Sequence, residues 1–291
     1  MTAKKVLITG GAGSLGRELT VSLTRFGHRV RVFDLPSCDF SSFAALARVE
    51  VLTGNIRDLD RVRCAVSDVD AVVHLAALLP PASERNRDLT MTVNVGGTEN
   101  VVEALERENP GAHLIFSSSV CVYGDTTGEE PPIRVSQSQC ALDFYAESKI
   151  EAERAVLAGA CTRTILRISG ISVPAFLEPP AVWPFMRDQR IEFVCRTDVV
   201  AALSACVCAV DAAGKVFNVA GGPAWQMLGG EYVARFNEVM GVPPEGARYA
   251  ERPGWFDWYD TSESQDVLRY PRTSFDRFLE LLEQAIEDAL S

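Results

Sequence analysis

Only three histidines occur in this chain of 291 residues, and its eight cysteines are scattered, with only Cys206 and Cys208 close together. Neither set has the spacing of metal ligands, so the sequence argues against a zinc site and for reduced thiols, as in a cytoplasmic protein. No apolar run is long enough to span a bilayer. Basic charge is also short. The 28 Lys and Arg against 39 Asp and Glu give a formal net charge of −11, and a nucleic-acid partner calls for a basic face instead. Lys4 and Lys5 lead straight into an apolar run that turns at glycine, which is not the pattern of a signal peptide. Internal repeats and low-complexity tracts are absent as well.

What the chain has is 47% hydrophobic residues, enough for one large folded unit or two small ones. Strand and helix patterns alternate as far as Leu166, which predicts an α/β fold with a doubly wound parallel sheet. Beyond Gly170 the periodicity becomes irregular in "SVPAFLEPPAVWPFMRD" and again after "GGPAW", whereas "DVVAALSACVCAV" reads as a helix and "KVFNVA" as a strand returning to the sheet. Residues 1–169 are therefore expected to form a nucleotide-binding domain to which 191–221 return. Residues 170–190 and 222–291 are expected to form a small, discontinuous C-terminal substrate lobe. Trp183, Trp225, Trp255 and Trp258 all fall in that lobe. Core packing is their expected use, because a small lobe needs large apolar side chains.

Near the N-terminus, Val6-Leu7-Ile8 predicts a buried strand, followed by Gly10, Gly13 and Gly16 and then by Leu15, Leu19, Leu23 and Phe26 at helical spacing. A strand thus feeds a helix through glycines, whose missing side chains let the backbone approach a pyrophosphate. The free N–H groups and dipole of the helix start attract its negative charge. A second strand, "HRVRVFD", ends in Asp34, eighteen positions beyond Gly16, where an acid receives the adenosine ribose hydroxyls. That carboxylate would repel a 2′-phosphate, and no Arg or Lys follows it in "LPSCDF", so NAD is favoured over NADP.

Further along, Tyr145 and Lys149 lie four apart in "DFYAESKIEAE", a spacing that puts both on one helical face. A free phenol titrates near pH ~10, so use of its phenolate at neutral pH requires a drop of about three units, or about 4 kcal/mol. One cation roughly 5 Å away at an effective dielectric of about 20 supplies around 3 kcal/mol of this. The pair therefore has the makings of a proton-transfer site, with the hydroxyl cluster Ser117-Ser118-Ser119 preceding it.

Taken in order, Thr9 to Gly16, Asp34, "GNIRD", "HLAA", Asn94, the serine cluster and Tyr145 with Lys149 resemble the extended short-chain dehydrogenase/reductases. More narrowly the chain is similar to the NAD-dependent epimerase/dehydratase family. The resemblance runs over nearly the whole chain, down to "RTDVVAAL" and "FNVAGG". It implies a Rossmann-type fold in which Gly10, Gly13, Ser14, Leu15 and Gly16 hold the pyrophosphate and Asp34 the ribose. Asn55 and Ile56 would border the adenine, although the family commonly has Asp where Asn55 stands. Leu75, Ala76 and Ala77 would line the cofactor, with Asn94 tying loops beside it and His74 supporting the same loop. Tyr145 would be the catalytic acid/base, Lys149 would hold the nicotinamide ribose and tune the phenol, and Ser119 would bond the reacting oxygen. Ser118 is the lesser claimant, since one step along a strand reverses the side chain. The helices "LTMTVNVGGTENVVEALERE" and "FYAESKIEAERAVLAG" correspond to the pair through which family members commonly dimerise, so the resemblance implies a homodimer.

Departures from the family narrow the chemistry. Val120 and Cys121 stand where the family's 4,6-dehydratases carry an Asp-Glu pair, and neither can protonate a leaving hydroxyl. Nucleotide-sugar epimerases commonly have Asn at the position of Gly170 and a long nucleotide-gripping stretch where this chain has a short one between Pro174 and Asp198. A small substrate is expected: a free sugar, a sugar acid or another hydroxy compound. A faint similarity to uronate dehydrogenases makes Arg190 the expected carboxylate partner, with Arg187 and Arg196 as rivals, because guanidinium binds carboxylate through two parallel bonds. In the proline-rich loop Leu78-Leu79-Pro80-Pro81, Leu79 is expected to form an apolar wall near the nicotinamide.

Overall fold

The computed structural model describes residues 2–243 and 246–290. Its first half alternates strand and helix as the sequence predicts: β1 (Lys5–Thr9), α1 (Ser14–Arg25), β2 (Arg29–Asp34), β3 (Val49–Thr53), α2 (Leu59–Val66), β4 (Ala71–His74), α3 (Arg87–Met91), α4 (Gly97–Glu108), β5 (His113–Ser119), α5 (Phe144–Ala158) and β6 (Arg163–Ile168). There follow β7 (Gly170–Ser172), β8 (Arg190–Ile191), β9 (Phe193–Cys195), α6 (Arg196–Cys208), β10 (Val216–Val219), β11 (Met227–Leu228), α7 (Gly229–Met240), α8 (Ser262–Leu268) and α9 (Phe275–Leu290).

Seven strands form the main sheet in the order β3-β2-β1-β4-β5-β6-β10. β1 runs parallel to β2 on one side, with Val6 opposite Val30, and parallel to β4 on the other, with Val6 opposite Ala71. Winding therefore reverses between β1 and β4, and the crevice beyond their C-terminal ends is where such sheets place ligands. The apolar runs of β1 and β4 are buried because helices cover both faces of a parallel sheet. α1 buries Leu19 and Leu23, one turn apart, and polar caps start the later helices: Asp58 accepts from the Arg61 N–H before α2, and Asp143 from the Ala146 N–H before α5.

Two compact units result, one of residues 1–119, 143–167 and 200–217, the other of 120–142, 168–199 and 218–291. Segments 120–142, 168–169, 191–199 and 218–221 thus group with the second unit rather than with the nucleotide domain that the sequence pattern suggests for them. Backbone bonding explains this. Ile133 N–H donates to the Trp258 carbonyl at 2.8 Å, Asp260 N–H donates back to Ile133 at 2.9 Å, and β9 pairs with β7. The buried Glu192 carboxylate accepts from the N–H groups of Gly222 and Tyr259 at 2.7 and 2.8 Å.

Each unit has its own core. That of the first is aliphatic, centred on Leu7, Val72, Val101, Leu105, Leu114 and Ile165. That of the second is aromatic, built on Trp183, Phe185, Trp225, Tyr232, Phe256, Phe275 and Phe278. Short strands supply few buried positions, so large rings fill them, edge to face where Phe185 meets Phe256 at 5.3 Å. Trp183 and Trp225 are core residues, as expected, while Trp255 packs against the cluster and Trp258 donates to the Met227 carbonyl at 3.2 Å.

Candidate active site

At the end of β1, Gly10 adopts φ +69°, and a side chain there would meet the Ala76 backbone nitrogen at 2.7 Å. At Gly16, a Cβ would lie 2.6 Å from the Gly11 Cα. Glycine is required at both because the loop after β4 and the first turn of α1 touch this turn directly. Gly13 is the N-cap of α1 and offers no capping side chain, and the first turn, which begins at Ser14 and Leu15, carries no acid. Its N–H groups are left for an anion. One Asp34 oxygen accepts from the Ala12 N–H at 3.0 Å and the other from the Leu35 N–H at 2.8 Å. Each keeps lone-pair capacity for a hydroxyl donor. A tight glycine turn, an uncapped helix start and a fixed carboxylate at the neighbouring strand end together fit a dinucleotide. Asn55 is less open than expected: its amide oxygen accepts from the Arg57 backbone N–H at 3.0 Å. Ile56 is buried, and a Cβ on Gly97 would touch it at 2.7 Å.

The loop after β4 is held by a directional chain of hydrogen bonds. Leu75 N–H donates to the Thr9 carbonyl at 3.1 Å, and Ala76 N–H donates to the Thr9 hydroxyl at 3.3 Å. That hydroxyl lies 2.6 Å from His74 Nδ1, and His74 Nε2 lies 3.0 Å from the Thr98 hydroxyl. Thr98 gives its proton to the Asn94 carbonyl at 2.6 Å, so toward the ring it accepts. His74 is therefore the neutral Nε2–H tautomer, with Nδ1 accepting from Thr9. Burial, followed by the nearby Lys149 charge, lowers its pKa to about 3. It is a structural strut, in keeping with its expected support of the loop. Asn94 locks the next step: its Oδ1 accepts from Leu78 N–H at 2.7 Å, and its Nδ2 donates to the Leu78 carbonyl at 3.0 Å and to Ser148 Oγ at 2.8 Å. Ala77 lies between these anchors, half-buried.

Tyr145 and Lys149 share a face of α5, with Lys149 Nζ 5.7 Å from the centre of the Tyr145 ring and 5.0 Å from that of Phe116. Lys149 is buried and donates to the Ser117 carbonyl at 2.8 Å, which fixes its ammonium beside the end of β5. Such a charge favours the phenolate over the phenol. Ser118 and Ser119 are buried at the same strand end. The Ser118 hydroxyl is committed to Glu153 at 2.5 Å, which removes it from contention for a reacting oxygen. The start of α5 is secured by Glu84, whose two oxygens accept from the Phe144 and Tyr145 N–H groups at 3.0 Å each. Arg87 pairs with Glu147 on the same helix.

Every expected site residue lies in the first unit except Arg190 and its rivals Arg187 and Arg196. In the second, Arg190 gives Nε and Nη2 to the two oxygens of Asp257 at 2.6 and 3.0 Å, and Nη2 also reaches the Thr126 and Glu129 carbonyls. An internal carboxylate thus fills the fork expected to receive a substrate. Leu79 is 56% exposed. Glu84, Thr98 and Ser148 leave no signal in the sequence, since Phe144, His74 and Asn94, which they bond, lie 60, 24 and 54 residues away. Glu153, four residues beyond Lys149, was visible by spacing alone. Among the described residues, no group of three or more His, Cys, Asp or Glu is placed to hold a metal, and no helix is long and apolar enough to cross a membrane. None of the eight cysteines forms a disulfide.

Comparison with known proteins places the chain among NAD-dependent enzymes. A 3 beta-hydroxysteroid dehydrogenase/Delta 5-->4-isomerase of Mycobacterium tuberculosis is 35% identical over 159 residues, 53% of this chain and 42% of that protein. A D-erythronate dehydrogenase of Cupriavidus necator is 36% identical over 137 residues, 44% of this chain and 41% of that one. The chain therefore spans well under half the length of these curated relatives. A short-chain dehydrogenase/reductase superfamily protein from Agrobacterium tumefaciens, solved with bound NAD, shares the fold across 98% of both chains at a TM-score of 0.80 and 24% identity. The model of the NAD dependent epimerase/dehydratase family matches residues 6–172, more than half of the sequence and the whole of the glycine turn, Asp34, the serine strand and α5. The chain belongs to that family.

Proposed function

We propose that this protein is an NAD-dependent oxidoreductase acting on a secondary alcohol or the corresponding ketone, with Tyr145 as the proton-transferring group. The observation that carries this reading is the fixed ammonium of Lys149, buried, bonded to the Ser117 carbonyl and 5.7 Å from the Tyr145 ring. When bound, NAD supplies the acceptor, or as NADH the donor, of the hydride. In the oxidising direction the phenolate of Tyr145 takes the hydroxyl proton, while Ser119 orients the substrate oxygen with its own hydroxyl. Lys149 stabilises the phenolate and hydrogen-bonds the nicotinamide ribose. Gly10, Gly13 and the start of α1 bind the pyrophosphate, and Asp34 selects the unphosphorylated ribose. Tyr145→Phe is expected to lower turnover by at least about a thousandfold while leaving NADH affinity within about twofold. Unchanged turnover would remove Tyr145 from the mechanism.

The substrate we favour is a small sugar-like or hydroxy-acid alcohol. The named activity of the Cupriavidus necator relative and the short stretch between Pro174 and Asp198 support it. A second reading, a sterol-like alcohol, draws on the Mycobacterium tuberculosis relative and on the exposed apolar Leu79 and Phe144. Screening erythronate, uronates and 3β-hydroxysteroids for NADH formation separates the two. Epimerisation through the same residues is the alternative outcome: it predicts NAD retained through dialysis near one equivalent and no net NADH. We extend the proposal to a homodimer through α4 and α5, which light scattering tests directly.

A further inference from the structure

The inward face of α5 carries three polar residues at intervals of four: Tyr145, Lys149 and Glu153. Facing them, β5 ends in three consecutive serines, and two of the pairings are explicit. Lys149 Nζ donates to the Ser117 carbonyl at 2.8 Å, and the Ser118 hydroxyl donates to Glu153 Oε1 at 2.5 Å. Glu153 is held in turn by Arg167 on β6, the strand beside β5 in the sheet. Arg167 Nη2 reaches Glu153 Oε2 at 2.7 Å and Nε reaches Oε1 at 3.0 Å. The side chains of Arg167 and Glu153 are 7% and 1% exposed. A buried ion pair is weak as a source of stability, because desolvation offsets the attraction and apolar residues of similar volume often serve as well. Its strength is geometric, since two parallel charge-assisted bonds fix distance and angle together.

We propose that Ser118, Glu153 and Arg167 form a positioning triad that sets the register of the end of β5 against α5, and thereby holds Lys149 and Ser119 in place around Tyr145. The inference rests on the acid/base reading of Tyr145 and Lys149. The triad acts through its neighbours: Ser118 directly precedes Ser119, and Glu153 follows Lys149 by one helical turn. A slip of either element moves the ammonium relative to the phenol, because the lysine takes its fixed point from the backbone of Ser117.

The test needs no substrate. Tyrosine labelled with carbon-13 at the ring Cζ is introduced into the full chain, the Tyr145 resonance is assigned with Tyr145→Phe, and its titration is followed in wild type, Ser118→Ala, Arg167→Lys and Lys149→Met. Ser118→Ala removes one hydroxyl and leaves the ion pair, and Arg167→Lys keeps the charge but loses the parallel bonds, so both are expected to fold, as circular dichroism would verify. The expected result is an upward move of the Tyr145 midpoint in both triad variants, in the direction of Lys149→Met but smaller. NADH affinity should stay within about threefold of wild type, because the glycine turn and Asp34 are untouched. If Lys149→Met moves the midpoint and neither folded triad variant does, the triad is only structural and the proposal is overturned. If Lys149→Met itself leaves the midpoint in place, the underlying reading of the lysine fails instead.

Discussion

Acidification should find His74 before it finds any group in the proton-transfer site. The ring is buried between the Thr9 and Thr98 hydroxyls, and its pKa falls to about 3 from an ordinary 6.5. Protonation would put a hydrogen on Nδ1, where the geometry requires an acceptor for Thr9, and would strand a cation in the core. In the unfolded chain the same imidazole protonates below pH 6.5, so the unfolded state binds more protons as pH falls. Stability is therefore full above pH 6.5 and lost progressively toward pH 3. At pH 5 the gap of 1.5 units at about 1.4 kcal/mol each gives a loss of about 2 kcal/mol from this residue alone. His113, lowered to about 4 by burial, adds in the same direction. With only three histidines in the chain, nitrogen-15 and carbon-proton NMR resolves each ring. His74 should show the Nε2–H tautomer and no titration between pH 7 and 4.5. In urea unfolding, His74→Gln should lose about 2 kcal/mol less than wild type between pH 7 and 5. A His74 midpoint near 6.5, or an Nδ1–H tautomer, would refute both the strut and the hydrogen-bond direction assigned to it.

Other perturbations are simpler. Gly10→Ala imposes an αL conformation costing about 1–2 kcal/mol, together with the 2.7 Å clash with Ala76; NADH fluorescence titration should show affinity reduced more than about tenfold. Glu84→Ala removes the cap on Phe144 and Tyr145 and should cost about 1 kcal/mol of stability, read as a lower thermal midpoint with NADH affinity unchanged. Arg190→Ala leaves the buried Asp257 carboxylate without its guanidinium. It should cost about 3 kcal/mol in urea unfolding, and a rise in KM for an acidic substrate without that loss would restore Arg190 as a substrate ligand.

The residues that act through backbone or periodicity were legible in the sequence. Gly10 and Gly16 announce a turn that no side chain can enter, Asp34 ends a strand at a fixed interval, and Tyr145 and Lys149 share a face because a helix has 3.6 residues per turn. What escaped is what depends on partners distant in sequence. Arg190 looked available because nothing near it in sequence reveals Asp257, 67 residues away, as its partner. Glu84 carries no signal in the sequence, because its targets lie at the start of a helix sixty residues later. Segment 120–142 follows the serine strand in sequence yet bonds to Trp258 and Asp260, a long-range pairing that local patterning does not encode.

The division of the chain bears on how this family can be re-engineered. Crossings between the two units fall at 119/120, 142/143, 167/168, 199/200 and 217/218. The second unit, most of which lies beyond the family match at residues 6–172, is thus no cassette: exchanging it takes three segments and five splice points. Two of those splices abut Ser119 and Asp143, the last residue of β5 and the N-cap of α5. A chimera joined there would inherit its donor's lobe but would have to keep this chain's own junctions, so recombination libraries should cut within 121–141 and leave both junctions native.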